Sequence, residues 1–427
     1  MPRPIAFDLT RLFVGALGGT PRGIDRVDLS VAHRLFDRED APHIGLVPGP
    51  MRMGRVERGA ALAITRAVER GWREAPSADH DARDPALPAL ARWLASGRLV
   101  SGETPLSAGG PARVARHIAS LALRARGSLL APAVRAVPPG AVYLNTGQVL
   151  LGAPWVFSWL DRRPDVRAVF TLHDLIPMTH PEYSGPLLSR HHARALATVA
   201  RRGTALLATS QASADEIVAG LRRLGRTDIP VHVVPLPVSP TLLAAGSGET
   251  PPGTYFVTVG ILDQRKNHRL LWHVWRDLLH RHGPGVPKLV AIGSRGLRTG
   301  ELHDLLAHSP GLDGVVRVVS GLPSGAMRTL MAGARGLLMP SFAEGFGLPL
   351  IEAAALGIPV VASDIPAHRE ATAGTDAILL DPTDGPGWTE AVIRLAAAVP
   401  GEGRRTGPPP QTWDSYFAAV MPWLDSL

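Results

Sequence analysis

The chain has 427 residues, a formal net charge of +8 at pH 7 and no cysteine, so disulfides, zinc–thiolate sites and thiol catalysis are excluded. This length exceeds one ordinary hydrophobic core and predicts two or three domains. The sequence has no apolar run of about 18 residues and no signal-peptide pattern at its start, so we expect a cytoplasmic location.

The positive charge has two explanations: the protein binds an anionic partner, or the arginines reflect the overall composition of the chain. Nucleic acid is disfavoured, because the sequence has no RNP-like motif, no zinc finger and no interleaving of aromatic with basic residues. Attraction to an anionic membrane face is a second candidate. Arginine scattered by composition alone explains the charge equally well.

The first half of the chain opens with a strand, a glycine-rich loop and a helix. Pro4 to Asp8 predicts a buried strand, Gly15 to Gly23 the loop, and Ile24 to Phe36 an amphipathic helix. This order is typical of a Rossmann-like domain. The sequence has neither a G-x-G-x-x-G nor a Walker A motif, so it does not predict a dinucleotide site or a P-loop.

A segment of weak periodicity follows a second predicted strand, His43 to Pro48. Between residues 51 and 138 arginines are frequent and the helical patterns are short, and we interpret this stretch as an irregular insertion. It contains Asp79-His80-Asp81, a D-x-D pattern of the kind that holds a divalent metal in other enzymes. No strand precedes it, so we interpret it as solvated loop charge and predict no metal site.

Four further strands complete the first domain. They are predicted at Ala141–Asn145, Arg167–Leu172, Ala205–Thr209 and Val231–Pro235. A helix from Ala214 to Leu224 is expected to have Ser213 as its N-cap. His173 directly follows a predicted strand, and the carboxyl ends of parallel strands are where α/β proteins bind ligands.

A second domain begins after Ala244 to Pro252, a linker by composition. Its first strand, Tyr255–Val259, is followed by the basic run Arg265-Lys266-Asn267-His268. A strand at Lys288–Ile292 then leads into a turn at Gly293. The alternation of strands and helices predicts parallel sheets with right-handed crossovers.

The most informative stretch begins with a predicted strand, Gly336–Met339. A glycine-spaced loop then leads to a helix that we expect to begin at Pro349, since proline is favoured at the first helical position. The amides of Phe346, Gly347 and Leu348 would then point out of the helix N-terminus. Such a terminus is a ready site for an anion.

Two carboxylates flank this predicted anion site. Glu344 lies in the loop, and Glu352 is expected in the first turn of the helix. Gly345 and Gly347 have no Cβ, so a ligand can approach the backbone closely. This pattern suits a ligand with a charged middle and hydroxyls at both ends, and a sugar nucleotide has that form.

The segment from Glu344 to Glu352 resembles the Glu-x7-Glu signature of retaining glycosyltransferases of family 4, which have the GT-B fold. The continuation to Glu370 is also similar to that family. His173-Asp174-Leu175-Ile176-Pro177 resembles a motif of a bacterial polysaccharide branch of mannosyl- and rhamnosyltransferases. The resemblance is dense from residue 255 to 384, patchy before that, and does not cover 51–138.

The resemblance implies two Rossmann-like α/β domains whose parallel sheets face each other across a cleft. Residues 1–245 would form the acceptor-side domain, with 51–138 as its irregular insertion. Residues 253–400 would bind the nucleotide-sugar donor. A helix within 410–427 would return to the N-terminal domain.

The resemblance also implies roles for individual residues. Its expected catalytic residues are His173, Lys266 and Glu344. Its expected donor contacts are Gly23, Arg265, Lys266, Gly293, Gly345, Phe346, Gly347, Leu348 and Glu352. The two cations would face the leaving diphosphate, Glu344 the sugar hydroxyls, and Glu352 the ribose diol. No cofactor or metal is expected.

The implied reaction moves a hexose, with retention, from a nucleotide-diphosphate sugar such as GDP-mannose to a glycan or lipid-linked glycan. The product would belong to a bacterial surface polysaccharide. Peripheral association with the anionic inner face of the membrane is expected, and nucleic acid is not. Two alternatives stay open: a GT-B sugar-nucleotide epimerase, and a sugar-nucleotide-binding module without catalysis.

Overall fold

The computed structural model describes residues 3–17, 23–39, 41–49, 53–74, 86–96, 132–243, 250–294, 311–322, 324–399 and 410–427, with single residues between 296 and 309. The chain forms two compact units. The first comprises Met1–Ala75, Ala108–Pro237 and Gln411–Leu427. The second comprises Pro76–Ser107 and Val238–Pro410.

Strands and helices alternate through most of both units. The strands are β1 (Ile5–Asp8), β2 (Ile44–Pro48), β3 (Met53–Val56), β4 (Val142–Asn145), β5 (Arg167–Thr171), β6 (Ala205–Ala208), β7 (Val231–Val233), β8 (Tyr255–Val259), β9 (Lys288–Ile292), β10 (Val316–Val319), β11 (Leu337–Met339), β12 (Val360–Ser363) and β13 (Ile378–Leu380). The helices are α1 (Thr10–Leu17), α2 (Gly23–Phe36), α3 (Arg58–Glu74), α4 (Ala86–Ser96), α5 (Ala133–Ala136), α6 (Ile176–Thr179), α7 (Pro181–Ser184), α8 (Pro186–Arg202), α9 (Gln211–Arg223), α10 (Pro240–Leu243), α11 (His268–His282), α12 (Ser324–Gly333), α13 (Leu348–Ala355), α14 (Pro366–Ala371), α15 (Gly385–Ala397) and α16 (Trp413–Ser426). Short 3-10 helices occupy Pro154–Arg162, Gln264–Lys266, Gly283–Gly285 and Leu312–Gly314.

The sheet of the first unit has, among the described residues, the order β3-β2-β1-β4-β5-β6-β7. All neighbouring strands pair in parallel except β2 and β3, which are antiparallel. Strand β3 was not predicted, because Gly54 and Arg55 interrupt its apolar pattern. Since the chain leaves β1 towards β2 and returns to its other side with β4, the switch point lies between the carboxyl ends of β1 and β4.

The sheet of the second unit has the order β10-β9-β8-β11-β12-β13 in the described part of the chain, with parallel pairing throughout. Most residues of its strands are apolar, as expected for a sheet covered on both faces. Phe256 packs into the core on one face and Val257 into the core on the other. Because β8 and β11 are neighbours, the loops that follow them leave the sheet side by side.

Helix α4 belongs to the second unit, although the sequence analysis places all of 51–138 in the first domain. Leu90, Trp93 and Leu94 are buried in the second unit's core. Lys288 Nζ donates to the carbonyl oxygens of Trp93 and Leu94, at 2.7 and 2.5 Å, and lies 5.2 Å from the centre of the Trp93 ring. One apolar helix face and a cation at its carboxyl end thus attach α4 to the second unit.

The α/β fold class with parallel sheets is confirmed, and most predicted strands agree with the structure to within two residues. The D-x-D pattern Asp79-His80-Asp81 lies outside the described residues. No helix in the described ranges combines the length and apolar character needed to cross a bilayer. In the same ranges, His, Asp and Glu side chains form no cluster of three suited to a metal ion.

We expect Trp93→Ala to destabilise the second unit by about 3–5 kcal/mol, because it removes a large side chain from a packed core and leaves a cavity. The measurement is urea-dependent proteolysis, with the fragments assigned to each unit by mass spectrometry. Trp155→Ala is the matched control: Trp155 is 61% exposed, and we expect a change within about 0.5 kcal/mol. Equal stability of the two variants would contradict this account of α4.

Candidate functional site

The basic loop after β8 is tied to the end of β11. The Asp263 side chain accepts the backbone N–H of Lys266 at 3.0 Å and closes a 3-10 turn. Asn267 has a left-handed backbone, with φ of 52°, and its Nδ2 donates to the carbonyl oxygens of Pro340 and Pro382 at 3.1 and 2.8 Å. The turn is therefore positioned by the strand ends beside it.

Glu344 joins the two cations of this loop. Its Oε2 lies 2.7 Å from Arg265 Nη1, and its Oε1 lies 2.5 Å from Lys266 Nζ. Ser341 Oγ donates to Oε1 at 2.7 Å. Arg265 Nη1 also donates to the Ala343 carbonyl at 2.5 Å. The structure thus brings three predicted site residues into direct contact and adds Ser341, which the sequence analysis did not single out.

The pKa of the Glu344 carboxyl is well below its ordinary value. Burial opposes ionisation, since the side chain is only 9% exposed, but the attraction of Lys266 and Arg265 outweighs it. Glu344 is therefore an anion at neutral pH, and the three groups together carry one net positive charge. Such a cluster attracts an anionic ligand and presents it with donors that are already oriented.

Two glycines, Gly260 and Gly293, allow close packing near Lys266. Gly260 has φ of +148°, and a Cβ there would lie 3.0 Å from Lys266 Cε. A Cβ on Gly293 would overlap the Gly260 carbonyl oxygen. The predicted site residue Gly293 thus permits close packing of the loops after β8 and β9, and its contact with a ligand stays a prediction.

Helix α13 begins one residue earlier than predicted. Gly347 is its N-cap with φ of +97°, Leu348 is the first helical residue and Pro349 the second. The left-handed backbone of Gly347 directs the chain into the helix. Proline is therefore not required as the first helical residue. Glu352 is therefore the fifth helical residue, just beyond the first turn, and its side chain is buried. Phe346, also predicted as a donor contact, is buried in the loop before the helix.

His368 is a buried residue that the sequence analysis missed. Its Nδ1 donates to the Ser363 carbonyl at 3.0 Å, and within the described ranges its Nε2 has no hydrogen-bond partner. Burial lowers the pKa of His368, so its ring is neutral and Nε2 is an acceptor. A Cβ on Gly347 would lie 3.5 Å from His368 Cδ2, which places the ring behind the start of α13.

In the first unit, His173 is buried at the end of β5. Its ring Nε2 lies 2.9 Å from the Thr146 carbonyl oxygen. A carbonyl only accepts, so Nε2 carries the hydrogen. Burial lowers the pKa of His173, and the neutral ring therefore keeps a lone pair on Nδ1. Gly23, the other predicted site residue of this unit, is the first residue of α2.

Ser213 is not the N-cap that the sequence analysis expected. Helix α9 begins earlier, and the Ser210 hydroxyl accepts the Ser213 N–H at 3.0 Å. The Ser213 hydroxyl instead donates to the His173 carbonyl at 3.0 Å. The N-cap is Ser210 and not Ser213, because the helix begins at Gln211, closer to the end of β6.

Two fully buried carboxyls at the switch point of the first sheet were also missed. Asp8 ends β1 and accepts from Tyr143 Oη at 2.5 Å and from Asn145 Nδ2 at 2.8 Å. Asp28 lies on α2 and accepts from Thr146 Oγ1 at 2.5 Å. Burial raises the pKa of both carboxyls. The position of Asp8 and Asn145 at strand ends was the available signal in the sequence.

We expect Glu344→Gln to destabilise the second unit by about 2–4 kcal/mol at pH 7, because it leaves two partly buried cations without their counter-ion. Since the folded pKa of Glu344 is lowered, its contribution is present above the unfolded value of about 4.3 and is lost as the pH falls further. The difference between the native protein and the variant should therefore shrink below that pH. Urea unfolding at pH 7 and at about pH 3 measures both effects.

Glu182→Gln, at an exposed position, is the control for that experiment and should change stability by less than about 0.5 kcal/mol. A Glu344→Gln protein as stable as this control at pH 7 would show that the ion pairs do not hold the loops.

Comparison with known proteins finds a sequence-family match within the second unit. Residues 253–398 match the model of the family described as glycosyl transferases group 1. Serotype-specific mannosyltransferase WbdA of Escherichia coli is 28% identical over 221 residues, which are 48% of this chain and 26% of WbdA. O-antigen chain mannosyltransferase B of Escherichia coli is 30% identical over 224 residues, 51% of this chain and 58% of that protein. This chain thus spans about a quarter of one relative and little more than half of the other.

A solved structure extends the likeness to both units. The crystal structure of Anabaena HepE in complex with UDP-glucose matches 99% of this chain and 97% of that chain, with a TM-score of 0.57 and 17% sequence identity. At this identity the likeness establishes the fold alone. The chain therefore has the GT-B fold, and its second unit has the sequence pattern of the group 1 glycosyl transferases.

Proposed function

We propose that this protein is a retaining glycosyltransferase of family 4 that transfers a hexose from a nucleotide-diphosphate sugar to a glycan or lipid-linked glycan. The observation that carries the proposal is the contact of Glu344 with Arg265 and Lys266 beside the start of α13. This arrangement offers two cations and a helix N-terminus to a diphosphate, and a carboxylate to hydroxyls. The match of residues 253–398 to the glycosyl transferase family supports it.

The leaving diphosphate accounts for much of the barrier to glycosyl transfer. Arg265 and Lys266 are held by Glu344 before any ligand arrives, so their charges need little reorganisation as negative charge develops. The amide at Leu348 lies at the start of α13, where the helix dipole favours an anion. Each such preorganised donor contributes about 3 kcal/mol to transition-state stabilisation. We therefore propose that the reaction needs no metal.

Glu344 has a second role in this proposal. An ionised carboxylate accepts hydrogen bonds from sugar hydroxyls, and it favours the positive charge that develops on an oxocarbenium-like sugar. Glu352 would accept from the ribose diol. His173 would accept from a hydroxyl of the transferred sugar through Nδ1. Retention then follows if the leaving phosphate takes the proton of the acceptor hydroxyl on the same face.

The donor that we propose is GDP-mannose, and the product a bacterial surface polysaccharide. Both similar proteins of Escherichia coli are named as mannosyltransferases, one of them of the O-antigen chain. The HDLIP segment that begins at His173 resembles the same branch of family 4. The acceptor is then a growing glycan, free or lipid-linked.

We expect release of GDP from GDP-mannose, in the presence of EDTA, when a mannan oligosaccharide acceptor is supplied. Lys266→Ala and Glu344→Ala should each lower kcat by about 10²–10³, because each removes one preorganised charge from the transition state. Arg281→Ala is the matched control: this exposed arginine is paired with Asp277 on α11, and its loss should leave kcat unchanged. The measurement is coupled detection of the nucleoside diphosphate, with GDP-, UDP- and dTDP-sugars in parallel.

Each other outcome has a defined meaning. Loss of all activity on adding EDTA would contradict the metal-free mechanism. Conversion of the sugar without an acceptor would identify an epimerase, and tight nucleotide binding with no turnover of any donor would identify a binding module. Neither turnover nor nucleotide binding by calorimetry would overturn the proposed function.

We further propose that the first unit associates peripherally with the anionic inner face of the membrane through α8. Leu187 is 83% exposed at the start of this helix, and Leu188 beside it is also exposed. Arg190 and Arg194 lie one turn and two turns further along and are exposed too. Exposed leucines next to arginines suit the boundary between headgroups and acyl chains.

We expect the double variant Leu187→Ser, Leu188→Ser to bind vesicles of mixed phosphatidylglycerol and phosphatidylcholine at least about tenfold more weakly, since two apolar side chains no longer insert. Cosedimentation at low and high salt measures the binding, and salt should weaken that of the native protein. Leu224→Ser, at a 48% exposed position, is the control and should bind normally. Equal binding by the double variant and the control would rule out α8 as the contact.

A further inference from the structure

His173 is held at its backbone and at its ring. Its N–H donates to Gln148 Oε1 at 3.1 Å, and its carbonyl accepts from Ser213 Oγ at 3.0 Å. Its ring Nε2 donates to the Thr146 carbonyl at 2.9 Å. These contacts fix the position of the residue, the orientation of its ring and the ring nitrogen that carries the hydrogen. Two of the three partners lie in the loop that follows β4.

One buried carboxyl anchors the ring contact. Thr146, whose carbonyl accepts from His173, donates its hydroxyl to Asp28 Oδ1 at 2.5 Å. Asp28 is fully buried on α2. The next residue is Gly147, where a Cβ would overlap the Arg11 side chain and lie 3.4 Å from Asp28 Oδ1. The loop therefore packs closely against the elements that carry Asp28 and Arg11.

A second chain of hydrogen bonds anchors the backbone contact. Gln148, whose side chain accepts from the His173 N–H, donates its own N–H to Asn145 Oδ1 at 3.1 Å. Asn145 Nδ2 donates to Asp8 Oδ2 at 2.8 Å, and Asp8 accepts from Tyr143 as well. Both chains thus begin at a buried carboxyl near the switch point of the sheet and end at His173.

This arrangement costs stability. Gln148 and Leu150 have left-handed backbones, with φ of 56° and 62°, which side-chain-bearing residues rarely adopt. Asp28 Oδ2 is buried and, in the ranges that the structure describes, has no hydrogen-bond partner. A buried unpaired oxygen on α2 and two strained residues in the loop after β4 thus lie along the same hydrogen-bonded region, and such features concentrate at functional sites.

We infer that Asp28 is a positioning residue: through Thr146 it fixes the ring of His173 with Nε2 protonated, so that Nδ1 accepts a hydrogen bond from a hydroxyl of the donor sugar. The sugar contact rests on the function proposed above. The fixed ring does not, because every contact that produces it lies within the first unit.

The tautomer is measured directly, on the full-length protein without substrate. The chain is labelled with 15N-histidine, and two-bond 1H–15N spectra distinguish a ring protonated at Nε2 from one protonated at Nδ1. The chain has 16 histidines, so the His173 signal is identified by its loss in His173→Gln. We expect a single Nε2-protonated form in the native protein and in Asp28→Asn, which keeps an oxygen for the Thr146 hydroxyl. Asp28→Leu should show a mixture of forms.

Thr146→Val removes the same hydrogen bond without touching α2, so it replaces Asp28→Leu if that variant does not fold. Ser30→Ala is the control on α2: it removes only a bond to the Arg26 carbonyl and should leave the His173 spectrum unchanged. Native spectra in both Asp28→Leu and Thr146→Val would overturn the inference.

Kinetics test the consequence for the reaction. We expect kcat/KM for the sugar nucleotide to fall about tenfold to hundredfold in Asp28→Leu and Thr146→Val, and to recover in Asp28→Asn. An altered tautomer with unchanged kcat/KM would overturn the role in positioning. If the native protein turned over no sugar nucleotide, the proposed function would fail, and the spectra alone would decide whether Asp28 fixes the ring.

Discussion

The ion pairs that Glu344 makes with Arg265 and Lys266 are the constraint on which the second unit's site depends. The carboxylate and the cations belong to loops that are far apart in sequence, and only the adjacency of β8 and β11 brings them together. Removing such charges from water costs more than their attraction alone returns, so a buried cluster of this kind is weak evidence for stability. The cluster instead fixes the positions of two cations, and its net charge is +1.

In the first unit, hydrogen bonds and not ion pairs position His173. Burial raises the pKa of Asp8 and Asp28 and lowers that of His173, so charge is disfavoured on all three side chains. A neutral ring with one fixed lone pair suits a sugar hydroxyl, whereas the cationic cluster of the second unit suits a phosphate.

The sequence predicts the second unit better than the first. Two strands, β8 and β9, agree to the residue, because each is a short and mostly apolar run between clear breaks. Arg265, Lys266 and Glu344 could be named because a motif carries them. Asp28 and His368 could not, because each acquires its role from tertiary contacts and burial that no local pattern indicates. The left-handed backbone of Gln148 is likewise set by tertiary contacts, because glutamine, unlike asparagine, has no preference for this region.

Helix α4 shows that neither unit is a contiguous stretch of chain. The polypeptide changes unit after Ala75, after Ser107, after Pro237 and after Pro410. A single genetic crossover between genes for related proteins, near Val238, would therefore transfer the sheet of the second unit and leave behind the helix that carries Trp93. Trp93 and the carbonyls that Lys288 contacts would then come from a different protein than the sheet they pack against. An exchange that keeps the core of the second unit intact has to include α4.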